Sequence, residues 1–187
     1  MRSQPEDQKL DRISSRAYLE YAVSDRIKFT TEFSLTNTVN NRDYDNLLAI
    51  AYRKMPNVSV YAQDINGNNT DSYYSISRTS TLDNDQKYLR NPVALANLAT
   101  NRLETFRILP IFRLQYDLTD PQKQLLRYKL DVSFDITNNK TTQFLPQEVS
   151  NLIWTDASVN HAYNKDAERM SIFADNNIAW QPKFDNT

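Results

Sequence analysis

The chain has 187 residues and a formal net charge of −1, with a pI near 5.9 and a mean hydropathy of −0.69. This length suits one domain, and a nearly neutral chain without a polybasic patch gives no reason to expect nucleic-acid binding. No run of about eighteen apolar residues exists, which excludes a transmembrane helix. The lack of cysteine excludes disulfides and zinc–thiolate sites.

Two segments near the start of the chain alternate apolar and polar residues. They run from about Ile13 to Val23 and from Arg26 to Asn40, and the tight turn Ser24-Asp25 joins them. Successive side chains of a β-strand point to opposite faces, so each segment predicts a strand with one apolar and one polar face. In the second strand the apolar face carries mainly Ile27, Phe29, Thr31, Phe33, Leu35 and Val39.

A long excursion follows, from about Asn41 to Asn101. Tyr44–Met55 predicts a short helix that Pro56 ends, and residues 93–99 predict a second one, opened by Asn91-Pro92. Between them, residues 58–61 and 71–76 flank Asn66-Gly67, which is typical of a hairpin. Residues 77–90 read as a loop. Such a long connection indicates function rather than a simple link.

Three more strands are predicted, over residues 102–118, 124–138 and 168–184. Thr119–Lys123 forms a short turn between the first two, and residues 141–166 form a second long loop. Pro110 removes a ladder donor, so we expect a bulge there. Short turns that alternate with long loops are typical of a membrane β-barrel wall. The predicted fold class is therefore all-β: an antiparallel up-and-down transmembrane β-barrel segment of about five strands, with short helices in long extracellular loops.

The aromatic residues supply a second test of this fold. Tyr21, Tyr116 and Tyr128 lie on apolar faces beside the two short turns, and Trp180 lies at the matching end of the last strand. Clustering of this kind indicates an interfacial aromatic girdle. The alternative is that they are ordinary strand aromatics, which are common in any sheet.

Several segments, taken in order, resemble a SusC/RagA-type TonB-dependent outer-membrane transporter. The resemblance rests on residues 51–61 and 64–68, on Asn91-Pro92-Val93-Ala94-Leu95-Ala96, on residues 131–136, and on Phe144-Leu145-Pro146. It covers about Arg12 to Phe184. No plug domain, TonB-contacting box or export signal is recognisable, so residues 1–187 are expected to be an internal part of the β-barrel domain of such a transporter.

The resemblance implies a function and a set of partners. The intact protein would import oligosaccharides or peptides across the bacterial outer membrane, with energy from TonB, which would act through the part of the protein that is missing here. A SusD-like surface lipoprotein would close over the long loops, and outer-membrane lipid would cover the apolar faces. The runner-up hypothesis is a soluble β-sandwich that binds glycans, in which the apolar faces would form one core.

No constellation in the sequence supports an enzyme, a cofactor or a metal site. Asp131 and Asp135 are about 13 Å apart along a strand, too far for a glycosidase pair. The segment 64–68 lacks the glycine and glutamate spacing of a calcium loop, and His161 is expected to be a loop residue. Exposed loop aromatics can stack on sugar rings or peptide side chains. The candidate ligand-binding residues are Tyr73, Tyr74, Tyr88 and Trp154, with packing between loops as the alternative.

Overall fold

In the computed structural model, residues 8–76, 81, 84–120, 124–150, 152–153, 155–157 and 159–182 are described. Strands make up 61% and helices 14% of the described residues, so the fold is mostly antiparallel β, with short helices between the strands. In chain order the elements are β1 (Lys9–Ser24), β2 (Ile27–Asn41), α1 (Leu47–Arg53), β3 (Tyr61–Gln63), β4 (Asn69–Tyr73), α2 (Asn84–Tyr88), α3 (Pro92–Leu98), β5 (Thr100–Asp117), β6 (Leu125–Leu145), α4 (Gln147–Ser150) and β7 (His161–Gln181).

Five of these strands form one open sheet in the order β1-β2-β5-β6-β7, and β3 and β4 form a separate antiparallel pair. Each strand of the large sheet is therefore a neighbour of the next large strand along the chain. The connections are residues 25–26, 42–99, 118–124 and 146–160. The five predicted strands and the alternation of short and long connections are both confirmed.

The strands are longer than the alternation of side chains predicts. β6 continues to Leu145 and β7 begins at His161, so the loop prediction is wrong at residues 141–145 and 161–166. Neither stretch alternates apolar and polar residues: residues 141–143 are polar, Phe144 and Leu145 are adjacent apolar residues, and residues 161–166 are mainly polar. A strand held by its backbone ladder needs no such alternation. The loop prediction is also wrong at residues 84–88 and 147–150, where α2 and α4 are too short to display a helical period. β5 runs through Pro110 as a strand; the predicted bulge there stays a prediction.

Local sequence accounts for the helix starts and for the hairpin. The side-chain oxygen of Asn91 accepts from the backbone N–H groups of Val93 and Ala94, and Pro92 occupies the first turn of α3, as predicted. Asn46 caps α1 in the same way through Ala49 N. Gly67 has a φ of +82° in the turn between β3 and β4, a conformation that glycine adopts without a Cβ penalty.

The chain divides into two compact units. The loop unit comprises residues 1–11, 39–104 and 140–166, and the sheet unit comprises residues 12–38, 105–139 and 167–187. The loop unit contains a hydrophobic cluster of Ala94, Leu95, Leu145 and Val149. In the described part of the sheet unit no hydrophobic side chain is buried; Asp117 is the one buried residue there.

Candidate functional site: the two faces of the sheet

The apolar side chains of three neighbouring strands lie on one face of the sheet unit. The ring of Phe29 stacks on that of Phe112, with centroids 6.5 Å apart. Phe112 in turn meets Phe134 edge-on at 6.4 Å. These contacts join β2, β5 and β6 and define what we call the apolar face. The alternation in the sequence predicted this face correctly.

The apolar face is exposed. Phe33 is 43% exposed and Ile172 is 62% exposed, while Leu114 and Val132 are only half-buried. In the outermost strands, β1 and β7, every residue is exposed. A β-sandwich would bury such a face against a second sheet. An exposed apolar surface of this extent marks a site of interaction with another molecule or with a membrane.

The opposite face, which we call the polar face, carries a row of charges that crosses four strands. Arg16 in β1 contacts Glu32 in β2 at 2.9 Å. Arg113 in β5 lies between Glu32, at 3.6 Å, and Asp131 in β6, at 3.7 Å. Positive and negative groups therefore alternate along the row. Opposite charges in neighbouring strands stabilise the pairing of those strands.

Further ion pairs lie on the polar face on either side of this row. Arg127 holds Asp117 in a bidentate pair at 2.6 and 3.1 Å, and Lys28 contacts Glu20 at 2.6 Å. Arg107 forms a second bidentate pair with Asp135 at 2.8 and 2.7 Å. The two carboxylates considered as a catalytic couple, Asp131 and Asp135, are thus engaged by different arginines, which favours solvated charges over catalysis.

In the loop unit, the buried amide of Asn91 joins two elements. Its side-chain oxygen caps α3, while Nδ2 donates to Val60 O at 2.7 Å and to Tyr74 O at 3.1 Å. One side chain therefore fastens the ends of the β3–β4 hairpin to the start of α3. Because Asn91 is buried, each of these hydrogen bonds replaces one to water, and losing it would leave a buried group unsatisfied.

A second buried amide fastens α2 to the end of α1. Gln86 Nε2 donates to Arg53 O at 2.8 Å, and its oxygen accepts from Met55 N at 3.2 Å. Lys54 Nζ donates to Leu89 O at 2.9 Å, and partial burial lowers the pKa of Lys54. Sequence reasoning missed this arrangement, since residues 84–88 read as loop. A glutamine gives no local signal that distinguishes a buried amide from an exposed one.

The four candidate ligand-binding residues have different surroundings. Tyr73 packs against the hydrophobic cluster, its ring stacks on Tyr61 at 5.4 Å, and its hydroxyl accepts from Asn97 at 2.8 Å. Tyr74 is partly exposed and Tyr88 is largely exposed. Trp154 lies outside the described residues. Ligand contact by these residues stays a prediction, and Tyr73 also has a packing role.

Two further candidates have ordinary structural surroundings. The carboxylate of Asp64 accepts from Asn66 N, Asn68 N and Asn68 Nδ2 at 2.8–3.2 Å, and these hydrogen bonds, those from Asn68 above all, lower the pKa of Asp64. Residues 64–68 therefore form the tip of the β3–β4 hairpin, as Asn66-Gly67 predicts. His161 begins β7 rather than lying in a loop, and its Nδ1 is 3.1 Å from the hydroxyl of Tyr44.

No protein-family model matches this chain, and no curated protein matches it. Among the described residues, none of the helices has the length and apolar character needed to cross a membrane. In the same part of the chain, no three potential metal-ligating side chains lie together.

Proposed function

We propose that this chain forms part of the barrel wall of an outer-membrane, TonB-dependent nutrient importer of the SusC/RagA type. The single observation that carries the proposal is the exposed apolar face of a sheet whose other face is ion-paired. Hydrocarbon is the surrounding that suits an exposed band of Phe, Leu, Val and Ile on one face of an antiparallel sheet. The polar face would then line the interior, toward the plug and the transported molecule.

The length of the apolar band agrees with the thickness of a membrane. On β5 the band runs from Phe106 to Tyr116, a distance of ten residue steps. At about 3.3 Å per residue this is roughly 33 Å along the strand. A strand tilted by about 40° would span roughly 25 Å of height, which is the height of the apolar band of such barrels. At the two even positions of β5 that directly precede the band, the residues are charged, namely Arg102 and Glu104.

The open edges of the sheet support a larger barrel. β1 and β7 are its outermost strands, and their backbone groups on the outer side need partners inside a bilayer, where water cannot supply them. In the proposed protein, neighbouring wall strands pair with β1 and β7 and close the barrel. A plug domain and the TonB contact would belong to other parts of that protein.

The loop unit is the proposed extracellular part. Its buried cluster and its two buried amides hold the helices and the hairpin in fixed positions, as a surface that docks a partner or a ligand requires. In the intact importer this unit would meet the SusD-like lipoprotein and the incoming oligosaccharide or peptide. Exposed aromatic residues on it, Tyr74 and Tyr88 among them, are suited to stacking on such molecules.

The test is the location and the electrophoretic behaviour of the intact protein to which this chain would belong. We expect it in the outer-membrane fraction, with faster mobility in detergent gels before heating than after heating, as a closed barrel behaves. Recovery of the intact protein from the soluble periplasmic fraction would contradict the proposal. A monodisperse monomer of this chain alone, melting cooperatively without detergent, would favour the soluble glycan-binding module. An open sheet with a bare apolar face is expected to aggregate under those conditions.

A further inference from the structure

A depression on the polar face, with a volume of about 270 Å³, lies across β2, β5 and β6. The residues that line it are Lys28, Thr30, Arg113, Leu114, Gln115, Lys129 and Asp131. Three cations and one carboxylate thus surround it, and the hydroxyl of Thr30 and the amide of Gln115 add two uncharged polar groups. All of these residues belong to the sheet unit.

Backbone hydrogen bonds fix how these side chains face each other. Asp117 N donates to Arg26 O and Leu118 N donates to Leu126 O, both at 2.8 Å. In an antiparallel pair, one residue back along one strand corresponds to one residue forward along the other. Gln115, two residues before Asp117, therefore lies opposite Lys28, two residues after Arg26. By the same rule Gln115, three residues before Leu118, lies opposite Lys129, three residues after Leu126. Side chains directly opposite each other have Cβ atoms about 5 Å apart. Gln115 therefore lies between two lysines.

The charges around the depression do not cancel. Arg16 pairs with Glu32, Lys28 with Glu20, and Arg127 with Asp117, and Arg113 is the nearest cation to Asp131. This leaves Lys129, which is exposed and has no hydrogen bond or salt bridge to the described residues. The hydrogen bond from Arg127, which already holds Asp117 in a bidentate pair, lowers the pKa of that carboxylate, and the charge of Lys129 helps to lower it. Arg113 lies at 3.6 and 3.7 Å from its two carboxylates, beyond hydrogen-bond distance, so its N–H groups can turn to an incoming acceptor.

We propose that this depression binds a carboxylate of the transported molecule, with Lys129 and Arg113 as the charged donors and Gln115 as the uncharged one. Charge-assisted hydrogen bonds from lysine and arginine are the contacts that carboxylates favour. The inference rests on the proposed function, because it takes the polar face to line the transport path. It specifies the substrate class as acidic, either an acidic oligosaccharide or an acidic peptide.

The test is a calorimetric titration of the protein, purified from the fraction in which it is found. The probes are trigalacturonate, N-acetylated triglutamate and the methyl esters of both, which keep the backbone of each molecule and remove the negative charge of its carboxyl groups. We expect at least one acid to bind and its ester to bind at least tenfold more weakly. Whichever acid binds identifies the source of the carboxylate. Failure of both acids, or equal binding of acid and ester, would overturn the proposal.

Two lysine variants locate the site. Lys129→Gln is expected to weaken binding of the acid by about fivefold, and Lys129→Arg to restore it, since a charge-assisted hydrogen bond is at stake. Lys140→Gln is the control: Lys140 is an exposed lysine of the same strand and is not among the residues that line the depression, so its loss should leave affinity unchanged. Equal effects of the two glutamine variants would overturn the assignment. Because the titration does not depend on where the protein is found, its failure is distinct from failure of the proposed location.

Discussion

Phe112 meets Phe134 edge-on across β5 and β6, with ring centroids 6.4 Å apart, in the middle of the exposed apolar face. Phe29 extends this aromatic row into β2. Side-chain contacts within the row are therefore lateral, between neighbours in one sheet. Lateral contact leaves much of each ring uncovered, so covering the row with lipid or with an apolar surface of another molecule would be favourable.

Replacing an aromatic residue of this row by lysine tests what covers it. Phe134→Lys is expected to cost about 2–4 kcal/mol of folding free energy in a bilayer and to reduce the heat-modifiable form, because a charge would face hydrocarbon. Ser133→Lys is the control, since Ser133 is adjacent in sequence and points to the polar face. Equal tolerance of the two lysines in a folding titration into lipid vesicles would contradict a lipid-facing row.

Asn91 is expected to contribute more to the loop unit than an ordinary helix cap. Asn91→Ala removes the cap and leaves Tyr74 O without its side-chain donor, so a loss of about 2–3 kcal/mol is expected. Asn91→Asp keeps a capping oxygen but cannot donate to Val60 O, and it is expected to destabilise as well. Amide exchange at Val93 and Ala94 measures both effects.

Asn46 supplies the matched control for Asn91. It caps α1 in an exposed position, through a hydrogen bond from Ala49 N at 3.1 Å. Asn46→Ala is expected to cost about 1 kcal/mol or less. Similar losses in the two alanine variants would show that the cross-connection through Asn91 contributes nothing beyond its cap.

The turn of the β3–β4 hairpin is expected to weaken in acid. The folded-state pKa of Asp64 lies below its ordinary value of 3.8, because Asn68 and Asn66 donate hydrogen bonds to the carboxylate. The stabilisation is therefore complete above the unfolded-state pKa and is lost as the pH falls through the lowered folded-state pKa. An NMR titration of the Asp64 carboxyl checks this. A midpoint at or above 3.8 would contradict it, and Asp64→Asn should remove the pH dependence of the turn.

Substitutions can distinguish a tyrosine that contacts the ligand from one that packs within the loop unit. Tyr88→Ala is expected to weaken binding of an oligosaccharide or peptide by about three- to tenfold through lost stacking, with the fold intact. Tyr73→Ala is instead expected to destabilise the loop unit, because Tyr73 stacks on Tyr61 and accepts from Asn97. Calorimetric titration with a panel of oligosaccharides and tripeptides, beside thermal unfolding, measures both.

Tyr52→Ala is the control for these tyrosine variants. Tyr52 lies on α1, is 82% exposed, and is not among the predicted ligand-binding residues. Its removal is expected to change neither affinity nor stability by a measurable amount. If Tyr52→Ala weakened binding as much as Tyr88→Ala, the assignment of Tyr88 as a ligand contact would be wrong.

Local patterns in the sequence are enough to predict most of the elements. The alternation around Phe33 and Val132 predicts the strands and their apolar face, because a strand repeats every two residues. Asn91-Pro92 and Asn66-Gly67 predict a helix start and a hairpin, because their backbone preferences are local. The extensions of β6 and β7 escape this reasoning, because they lack the alternation of apolar and polar residues and are held by backbone pairing with a neighbouring strand.

What the sequence by itself determined is which side chains share a face and where the chain turns, because both follow from the geometry of neighbouring residues. Only the tertiary structure decided in what register the strands pair, and hence that Gln115 lies between Lys28 and Lys129, and it alone showed that Asn91 reaches Val60. Those relationships join residues far apart in the chain. They depend on long-range backbone hydrogen bonds, which the order of residues within a single strand does not specify.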